Sequence, residues 1–292
     1  MIIAGKRHFK MDKKTLYYFI KEMKEAIYGA GEMALGYRGR VRNVKKETEE
    51  LLNDSNFVKK QREAKTIIDE KIQEKLLLAA SKLLNTWEVY VDAEEETSRK
   101  NLFSAKPTAT TLVIDPIDGT LAYLLGRDCF SICVSLFENS EFLTAFVYFP
   151  ARRDFYFFKD SAVYCEKGGE LQKIAAPKNK NSNLIYVNNR VGEQITKNLI
   201  TRGFQVINDA DGVVVWPDAL IKCIKGEYKA CIFHSPQTRD VLLGAMISKM
   251  AGGYAYSWLG QPIVWPAGGR IPNVLFGFNP IPKDILLCLK QP

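Results

Sequence analysis

An apolar run that ends in a short acidic loop constrains the fold more than any other feature of this chain. The run is Thr111–Ile114, and the loop over residues 115–120 reads Asp-Pro-Ile-Asp-Gly-Thr. Proline stiffens the backbone between two carboxylates, which are the hard oxygen ligands that divalent cations prefer. Gly119 permits a sharp turn, and Thr120 begins a predicted helix whose first N–H groups can hold an anion. The pattern predicts a site for metal-assisted phosphoryl chemistry.

The composition is typical of a globular protein with one large or two medium domains. The chain has 292 residues, of which 47% are hydrophobic and 25% charged, and its six cysteines include no Cys-x-x-Cys pair. A chain of this size is stable without disulfides, so we expect reduced thiols in a cytoplasmic protein. No apolar stretch approaches the ~18 residues of a membrane span, and the first residues do not resemble a secretory signal. We therefore expect no membrane partner.

The net charge of +8 leaves two interpretations open. A positive surface would favour anionic substrates such as nucleotides, whereas a lysine-rich surface without a specific partner is the more common explanation. The basic residues are scattered rather than gathered in a dense tract. A nucleic-acid partner is therefore not predicted.

Hydrophobic periodicity predicts the first elements. An amphipathic helix begins near Asp12, and a second apolar stripe over 68–83 predicts another helix with Asp69 at the edge of its core-facing side. The charged segment 40–65 between them is predicted to be a solvated helix or a mobile loop. Strands are predicted at 89–91, 111–114, 130–137, 142–149 and 154–158.

The polar segment 175–183 has the composition of a linker. Beyond it, strand-like stretches at 184–187 and 213–216 alternate with helical patterns at 193–202, 217–225 and 238–251. We therefore predict two α/β regions. Residues 1–180 would carry most of the metal ligands, and residues 181–292 would carry Asp240 and the residues of the substrate pocket.

The carboxylates outside the acidic loop indicate a functional site only when their spacing along the chain is considered together. Alone, Asp69 would be a helix-surface residue, Glu94–Glu96 a solvated acidic turn, and Asp240 a helix cap. Together with the loop, however, they resemble the signature of the magnesium-dependent, lithium-sensitive phosphomonoesterases. This family comprises inositol monophosphatases, bisphosphate nucleotidases and relatives of fructose-bisphosphatase. Its elements here are Thr66-x-x-Asp69, Glu94-Glu95, the 115–120 loop, and Asp240 followed after eleven residues by Gly252-Gly253.

The resemblance, which runs from about residue 12 to about residue 255, implies a fold of alternating α+β layers in the order αβαβα. It implies two or three Mg²⁺ ions in the active site. The first would be held by Glu94 (or Glu95), Asp115 and the Ile117 carbonyl. The second would be shared by Asp115, Asp118 and Asp240, the last two also facing the substrate.

The resemblance also implies catalytic roles and partners. Asp69 and Thr120 would activate the attacking water with help from Glu94, and the N–H groups of Gly119 and Thr120 would hold the phosphate. The substrate would be a small phosphorylated metabolite, and the protein a homodimer inhibited by lithium.

Three departures from the family pattern bear on the substrate. Arg239 replaces the tryptophan that precedes the last aspartate, and Trp216-Pro217 stand where many members have small residues. Phe233 stands where inositol monophosphatases have an acidic residue that contacts the sugar ring. An inositol monophosphate-like substrate remains the default. A 3′(2′),5′-bisphosphate nucleotide is the alternative, and a catalytically weak regulatory or binding member of the family is an alternative of another class.

Other phosphatase chemistries fit the sequence less well. Residues 209–213 imitate the Asp-x-Asp-Gly of aspartate-nucleophile phosphatases, but a turn between strands is the better interpretation. The chain has only 2 histidines, His8 and His234, which excludes a histidine zinc cluster and makes a His-based triad improbable. His234 is predicted to be a buried, hydrogen-bonded side chain.

Overall fold

The structure is a computed structural model. It describes residues 11–45, 47–53, 59, 64–139, 141–178, 181–208, 215–250, 252–263, 269–278, 280 and 283–290. The predicted turn at 209–213 and most of the segment 54–63 lie outside these ranges. In the described part of the chain, no helix has the length and apolarity needed to cross a membrane.

Seven consecutive strands form the larger sheet, in which β1 runs parallel to β2 and every later neighbour is antiparallel. The first five confirm the predicted strands. The last two were not predicted, because their residues are mostly partly or fully exposed and β7 carries little hydrophobic alternation. The strands are β1 Val89–Ala93, β2 Thr110–Asp118, β3 Ser131–Glu138, β4 Glu141–Phe149, β5 Asp154–Lys159, β6 Ala162–Lys167 and β7 Glu170–Ile174.

The smaller sheet has five strands in the order β11-β12-β10-β8-β9. Strand β8 is parallel to both of its neighbours, and β12 is antiparallel to both of its own. Only β8 confirms a predicted strand in full. The strands are β8 Leu184–Val187, β9 Gln205–Asn208, β10 Ala230–Phe233, β11 Gly253–Ser257 and β12 Val274–Phe278.

Helices cover three faces of the two sheets. Helices α1 and α3 pack on one face of the larger sheet, α6 and α7 fill the space between the sheets, and α5 and α8 cover the outer face of the smaller sheet. The layers therefore follow the order αβαβα, as predicted. The helices are α1 Lys13–Tyr37, α2 Thr48–Asn53, α3 Ile67–Leu84, α4 Thr120–Leu124, α5 Glu193–Thr201, α6 Trp216–Ile224, α7 Leu242–Lys249 and α8 Lys283–Lys290.

One predicted strand is wrong where the structure describes it. Val215 is the N-cap of α6, and Trp216 is its first helical residue. Pro217 in the first turn favours this start because its fixed φ suits a helix and its missing N–H would be unpaired there anyway. Almost every residue of α6 is buried between the two sheets, so packing outweighs the strand preference of valine and tryptophan.

The double glycine after Asp240 has a packing cause. Gly252 has a φ of +80°, which favours glycine. A Cβ on Gly253 would lie 1.5 Å from the carbonyl oxygen of Ile247, so the start of β11 can pass this close to α7 only without a side chain. The glycine pair holds the helix that follows Asp240 against the smaller sheet.

Candidate active site

A bulge at the end of β2 shapes the acidic loop. Asp115 pairs with Cys133 and Asp118 with Ser131, and the register shifts between the two pairs. Pro116 lacks the N–H that a regular ladder would need there, so the bulge accommodates it. In a flat strand, side chains three residues apart face opposite sides. The bulge allows Asp115 and Asp118 to serve one site.

Gly119 closes the loop at a position that excludes a side chain. It is the N-cap of α4 and has a φ of +89°. A Cβ there would lie 2.9 Å from the carbonyl oxygen of Cys129 and 2.7 Å from Cγ1 of Val215. The loop therefore packs closely against Cys129, which precedes β3, and against Val215 at the start of α6. These contacts fix the position of Thr120.

Asp69 and Thr120 meet although they begin different helices. The Thr66 N–H and hydroxyl donate to Asp69 Oδ2 at 2.9 and 2.5 Å, in a capping box at the start of α3. Thr120 Oγ1 lies 3.2 Å from Asp69 Oδ1 and 2.9 Å from the Ile117 carbonyl oxygen. Burial raises the pKa of Asp69 to about 7 against these hydrogen bonds, with Glu94 adding to the rise. The pair can hold a hydroxyl group or a water molecule at the loop.

Asp115 lies at the centre of the carboxylates. It is buried, and its Oδ1 has no hydrogen-bond partner. Burial and the charges of Glu94, Asp118 and Asp240 raise its pKa well above the ordinary value. An unpaired buried carboxylate is costly unless a cation compensates it, so this oxygen has the environment of a metal ligand.

The two glutamates after β1 differ in their surroundings. Glu95 is buried, and its carboxylate pairs with Lys65 at 2.6 Å, while its backbone exchanges hydrogen bonds with the Gln73 side chain. Glu94 keeps contact with solvent, and its charge raises the pKa values of Asp69, Asp115 and Asp240. Of the two ligands that the sequence left open, the geometry therefore favours Glu94.

Asp240 reaches the same cluster from the other sheet's side. It lies in the 3-10 turn Arg239–Val241 directly before α7, and its Oδ2 accepts a hydrogen bond from the Gln237 N–H at 3.0 Å. Burial and the charge of Glu94 raise its pKa to about 7, and Arg239 opposes the rise. The structure thus brings together Asp69, Glu94, Asp115, Asp118, Thr120 and Asp240.

The donors suit Mg²⁺ chemically, because carboxylate and carbonyl oxygens are its preferred ligands. Among the described residues, however, no three acidic, histidine or cysteine side chains are already arranged to hold a metal ion. One cation near the cluster is the guanidinium of Arg239, whose pKa is raised by Asp240, Glu94, Asp115 and Asp92 against the effect of burial.

Four aromatic residues pack together next to Val215, whose side chain lies against the acidic loop. Phe233 is fully buried, with ring centroids 5.3 Å from Trp216 and 5.7 Å from both Tyr186 and Phe276. Phe233 is part of the hydrophobic core, so it cannot make the substrate contact of the acidic residue that it replaces. Trp216 is partly exposed and adjoins Val215, which contacts Gly119. Trp216 rather than Phe233 is thus the side chain that can limit the pocket.

Several residues near the cluster had no signal in the sequence. Arg190 and Arg270 both donate to the carbonyl oxygen of Ser235, at 3.3 and 2.6 Å, and the charge of Arg190 acts on Asp240. They come from loops that only the tertiary fold brings together. His234, predicted to be buried, is exposed and packs against Trp258 at 5.6 Å. Its position at the end of β10, rather than inside the strand, explains the difference.

Comparisons with known proteins agree with this architecture. The sequence model of the inositol monophosphatase family matches residues 16–274. The fold is similar to that of an inositol monophosphatase from Thermotoga maritima, at 18% identity and a TM-score of 0.68, over 91% of this chain and 94% of that one. It is similar to the extragenic suppressor protein SuhB from Bartonella henselae, at 14% identity and a TM-score of 0.69, over 93% and 98%.

A third similar structure is an inositol monophosphatase/NADP phosphatase in complex with NADP and Ca²⁺. It is 16% identical, with a TM-score of 0.68 over 96% of this chain and 97% of that one. A further structure of that description contains Mg²⁺ and phosphate. No curated protein matches the chain by sequence.

Proposed function

The chain belongs to the inositol monophosphatase family, and from this we propose that it hydrolyses a small phosphate monoester with the help of divalent metal ions. Family and fold confirm the resemblance found in the sequence. The observation that carries the proposal is the buried, unpaired Oδ1 of Asp115 among the charges of Glu94, Asp118 and Asp240. Such a cluster of like charges is unfavourable unless cations bind it.

We assign the metal ligands as follows. Glu94, Asp115 and the Ile117 carbonyl would hold one Mg²⁺, and Asp115, Asp118 and Asp240 would hold a second. The Ile117 carbonyl oxygen lies 2.9 Å from Thr120 Oγ1, and because a carbonyl has two lone pairs it can bind a metal ion whether or not Thr120 donates to it. The ions would stabilise phosphoryl charge and lower the pKa of bound water. The Mg²⁺ and Ca²⁺ ions in the similar structures support a divalent-metal site. By the family resemblance, a third Mg²⁺ would also bind.

Asp69 and Thr120 would manage the attacking water. Asp69 is held by two hydrogen bonds from Thr66, so its remaining oxygen can accept the hydroxyl proton of Thr120. The Thr120 oxygen can then accept a hydrogen bond from water and orient it, with Glu94 assisting from β1. The N–H groups of Gly119 and Thr120 begin α4 and would hold phosphate oxygens.

Two leaving groups fit the proposed reaction. An inositol phosphate is the family's default. A bisphosphate nucleotide is the second candidate, because Arg190 and Arg270 converge on one carbonyl near Asp240 and would suit a second anionic group. Trp216, partly exposed beside the loop, offers a flat surface for a base. The NADP bound to a similar protein is consistent with this candidate.

Phosphate release from purified protein tests the proposal. With Mg²⁺, we expect hydrolysis of at least one ester in a panel of inositol phosphates, sugar phosphates, NADP and 3′(2′),5′-bisphosphate nucleotides. Asp118→Asn should abolish it, while Asp160→Asn, the same change at an exposed carboxylate, should not. No release from any ester would refute the enzyme and leave the regulatory or binding member as the explanation.

Family membership also motivates proposals on assembly, inhibition and location. We propose a homodimer that lithium inhibits, in the cytoplasm, where the six free cysteines would stay reduced. We also propose that residues 1–180 and 181–292 are separate structural regions, since all strands of the larger sheet precede residue 175 and all those of the smaller sheet follow residue 183. Light scattering and a LiCl titration of the activity test the first two.

A further inference from the structure

An ion pair joins the two elements that supply Glu94 and Asp240. Arg239 Nη1 lies 3.6 Å from Asp92 Oδ1, and the two side chains are only 20% and 12% exposed. Asp92 is in β1, two residues before Glu94, and Arg239 directly precedes Asp240. The pair therefore spans from the larger sheet to the turn before α7.

The charge of Arg239 acts on the carboxylates as well as on Asp92. It lowers the pKa values of Glu94, Asp115 and Asp240 and is the largest opposing influence on the first and the last. Lys65, by contrast, is occupied by Glu70 and Glu95 at 2.8 and 2.6 Å. Lys45 acts on Glu94 and Arg190 on Asp240, whereas Arg239 acts on Glu94, Asp115 and Asp240 together and is held beside them by Asp92.

Asp92 explains why Arg239 stays in place. Its Oδ2 is buried without a hydrogen-bond partner, and burial raises its pKa while Arg239 opposes the rise. If Arg239 moved away, the buried Asp92 carboxylate would lose its ion-pair partner. The guanidinium is therefore tethered on the side of the cluster between the strand of Glu94 and the turn of Asp240.

We propose that Arg239 is a built-in counter-ion of the metal site that competes with one of its divalent cations. The inference rests on the proposed assignment of Glu94, Asp115 and Asp240 as metal ligands. A fixed positive charge next to these oxygens compensates their repulsion and also repels an arriving Mg²⁺. The chain should consequently bind its last Mg²⁺ weakly and stay folded without metal, with Arg239 acting as a positioning residue rather than a catalytic one.

Calorimetric Mg²⁺ titration of charge variants tests the proposal. The double variant Asp92→Asn/Arg239→Gln removes both members of the ion pair together, so that neither is left buried without the other. We expect its weakest Mg²⁺ to bind at least about 10-fold more tightly, a change of about 1.4 kcal/mol, with a larger gain in melting temperature on adding Mg²⁺. Arg239→Lys keeps the charge and should keep the wild-type affinity.

The single variant Asp92→Asn provides a second test with the opposite sign. It frees Arg239 from its tether, so the guanidinium pairs more with the metal-binding carboxylates, and Mg²⁺ should bind about two- to five-fold more weakly. This variant keeps the compensating charge and so is expected to fold without metal. Unchanged affinity in the folded double variant, or tighter binding in Asp92→Asn, would overturn the proposal.

The metal titration needs no substrate, so the two proposals can fail separately. If the Mg²⁺ affinity changes in the Arg239 variants as expected but no ester is hydrolysed, the counter-ion proposal is supported and the proposed enzymatic function is refuted. If esters are hydrolysed and the Mg²⁺ affinity is the same with and without the Arg239 charge, only the counter-ion proposal is refuted. If neither the wild type nor the double variant binds Mg²⁺, both are refuted.

Discussion

Asp69→Asn should stabilise the metal-free protein at pH 8 while it removes activity. Asp69 is 1% exposed, and its pKa of about 7 compares with an ordinary value of 3.8. A raised pKa means that the folded protein binds this proton more tightly than the unfolded chain. The associated stability is fully present below about pH 4 and is lost as the pH rises through 7. A shift of about 3 pH units corresponds to about 4 kcal/mol at pH 8.

The asparagine offsets part of this gain. Its single oxygen can still accept from Thr66, but the charge-assisted cap of α3 is lost, at about 1 to 2 kcal/mol. Its NH₂ group would face Thr120 Oγ1, which can turn its own proton to the Ile117 carbonyl. The net gain at pH 8 is therefore about 2 kcal/mol, and near pH 5 it should fall to about zero because Asp69 is protonated there.

Urea unfolding in EDTA at pH 5, 6, 7 and 8 measures this difference. The control is Asp160→Asn, whose carboxylate is 77% exposed and should give the wild-type pH dependence. In the presence of Mg²⁺, kcat of Asp69→Asn should fall by about 10² to 10⁴. Parallel pH dependences for wild type and Asp69→Asn, or a less stable variant at pH 8, would refute the argument that burial of this charge opposes folding.

Three further changes probe the loop, the second glutamate and the metal. Gly119→Ala should lower the unfolding free energy by about 1 to 3 kcal/mol and abolish activity, because φ is +89° and the new Cβ would lie 2.9 Å from the Cys129 carbonyl oxygen. A calorimetric scan that shows wild-type stability would contradict this. Lys65→Met should cost about 3 kcal/mol by leaving Glu95 buried and unpaired, measured against the exposed control Lys197→Met. Mg²⁺ should raise the melting temperature more at pH 8 than at pH 6, because Asp240, with a pKa of about 7, must ionise to bind the metal ion. Equal increases in melting temperature at the two pH values would count against Asp240 as a ligand.

The elements that could be predicted are those with strong periodicity. Helices α1 and α3 and strands β1–β5 each bury a repeating set of apolar residues, so their patterns survive in the sequence. Strand β7 is an exposed edge strand, and its residues Glu170–Ile174 carry little hydrophobic pattern. The error at Val215-Trp216 has the opposite cause, because a strand-like composition is overruled by burial between two sheets.

The carboxylates of the site were predicted by their joint spacing, whereas their partners were not. Glu94 and Glu95 are neighbours in sequence, and what distinguishes them is burial and the contacts of Glu95 with Lys65 and Gln73. Arg239 stood out as a departure from the family, but its link to Asp92 depends on where β1 ends relative to the turn before α7. Contacts between distant segments leave no periodic signal, so the sequence could predict which carboxylates come together but not the charged residues that surround them.

The same limit decides what can be inferred about the substrate. A family role can be carried over to a position only if the new side chain occupies the same space. Phe233 stands at the family's sugar-contacting position, yet its ring is buried against Tyr186 and Phe276. Replacing the acidic residue with Phe233 therefore removes a polar contact to the sugar and does not add an aromatic one. In the proposed site, an aromatic contact would come from Trp216 and a second anionic group would be met by Arg190 and Arg270, so specificity would depend on residues outside the family signature.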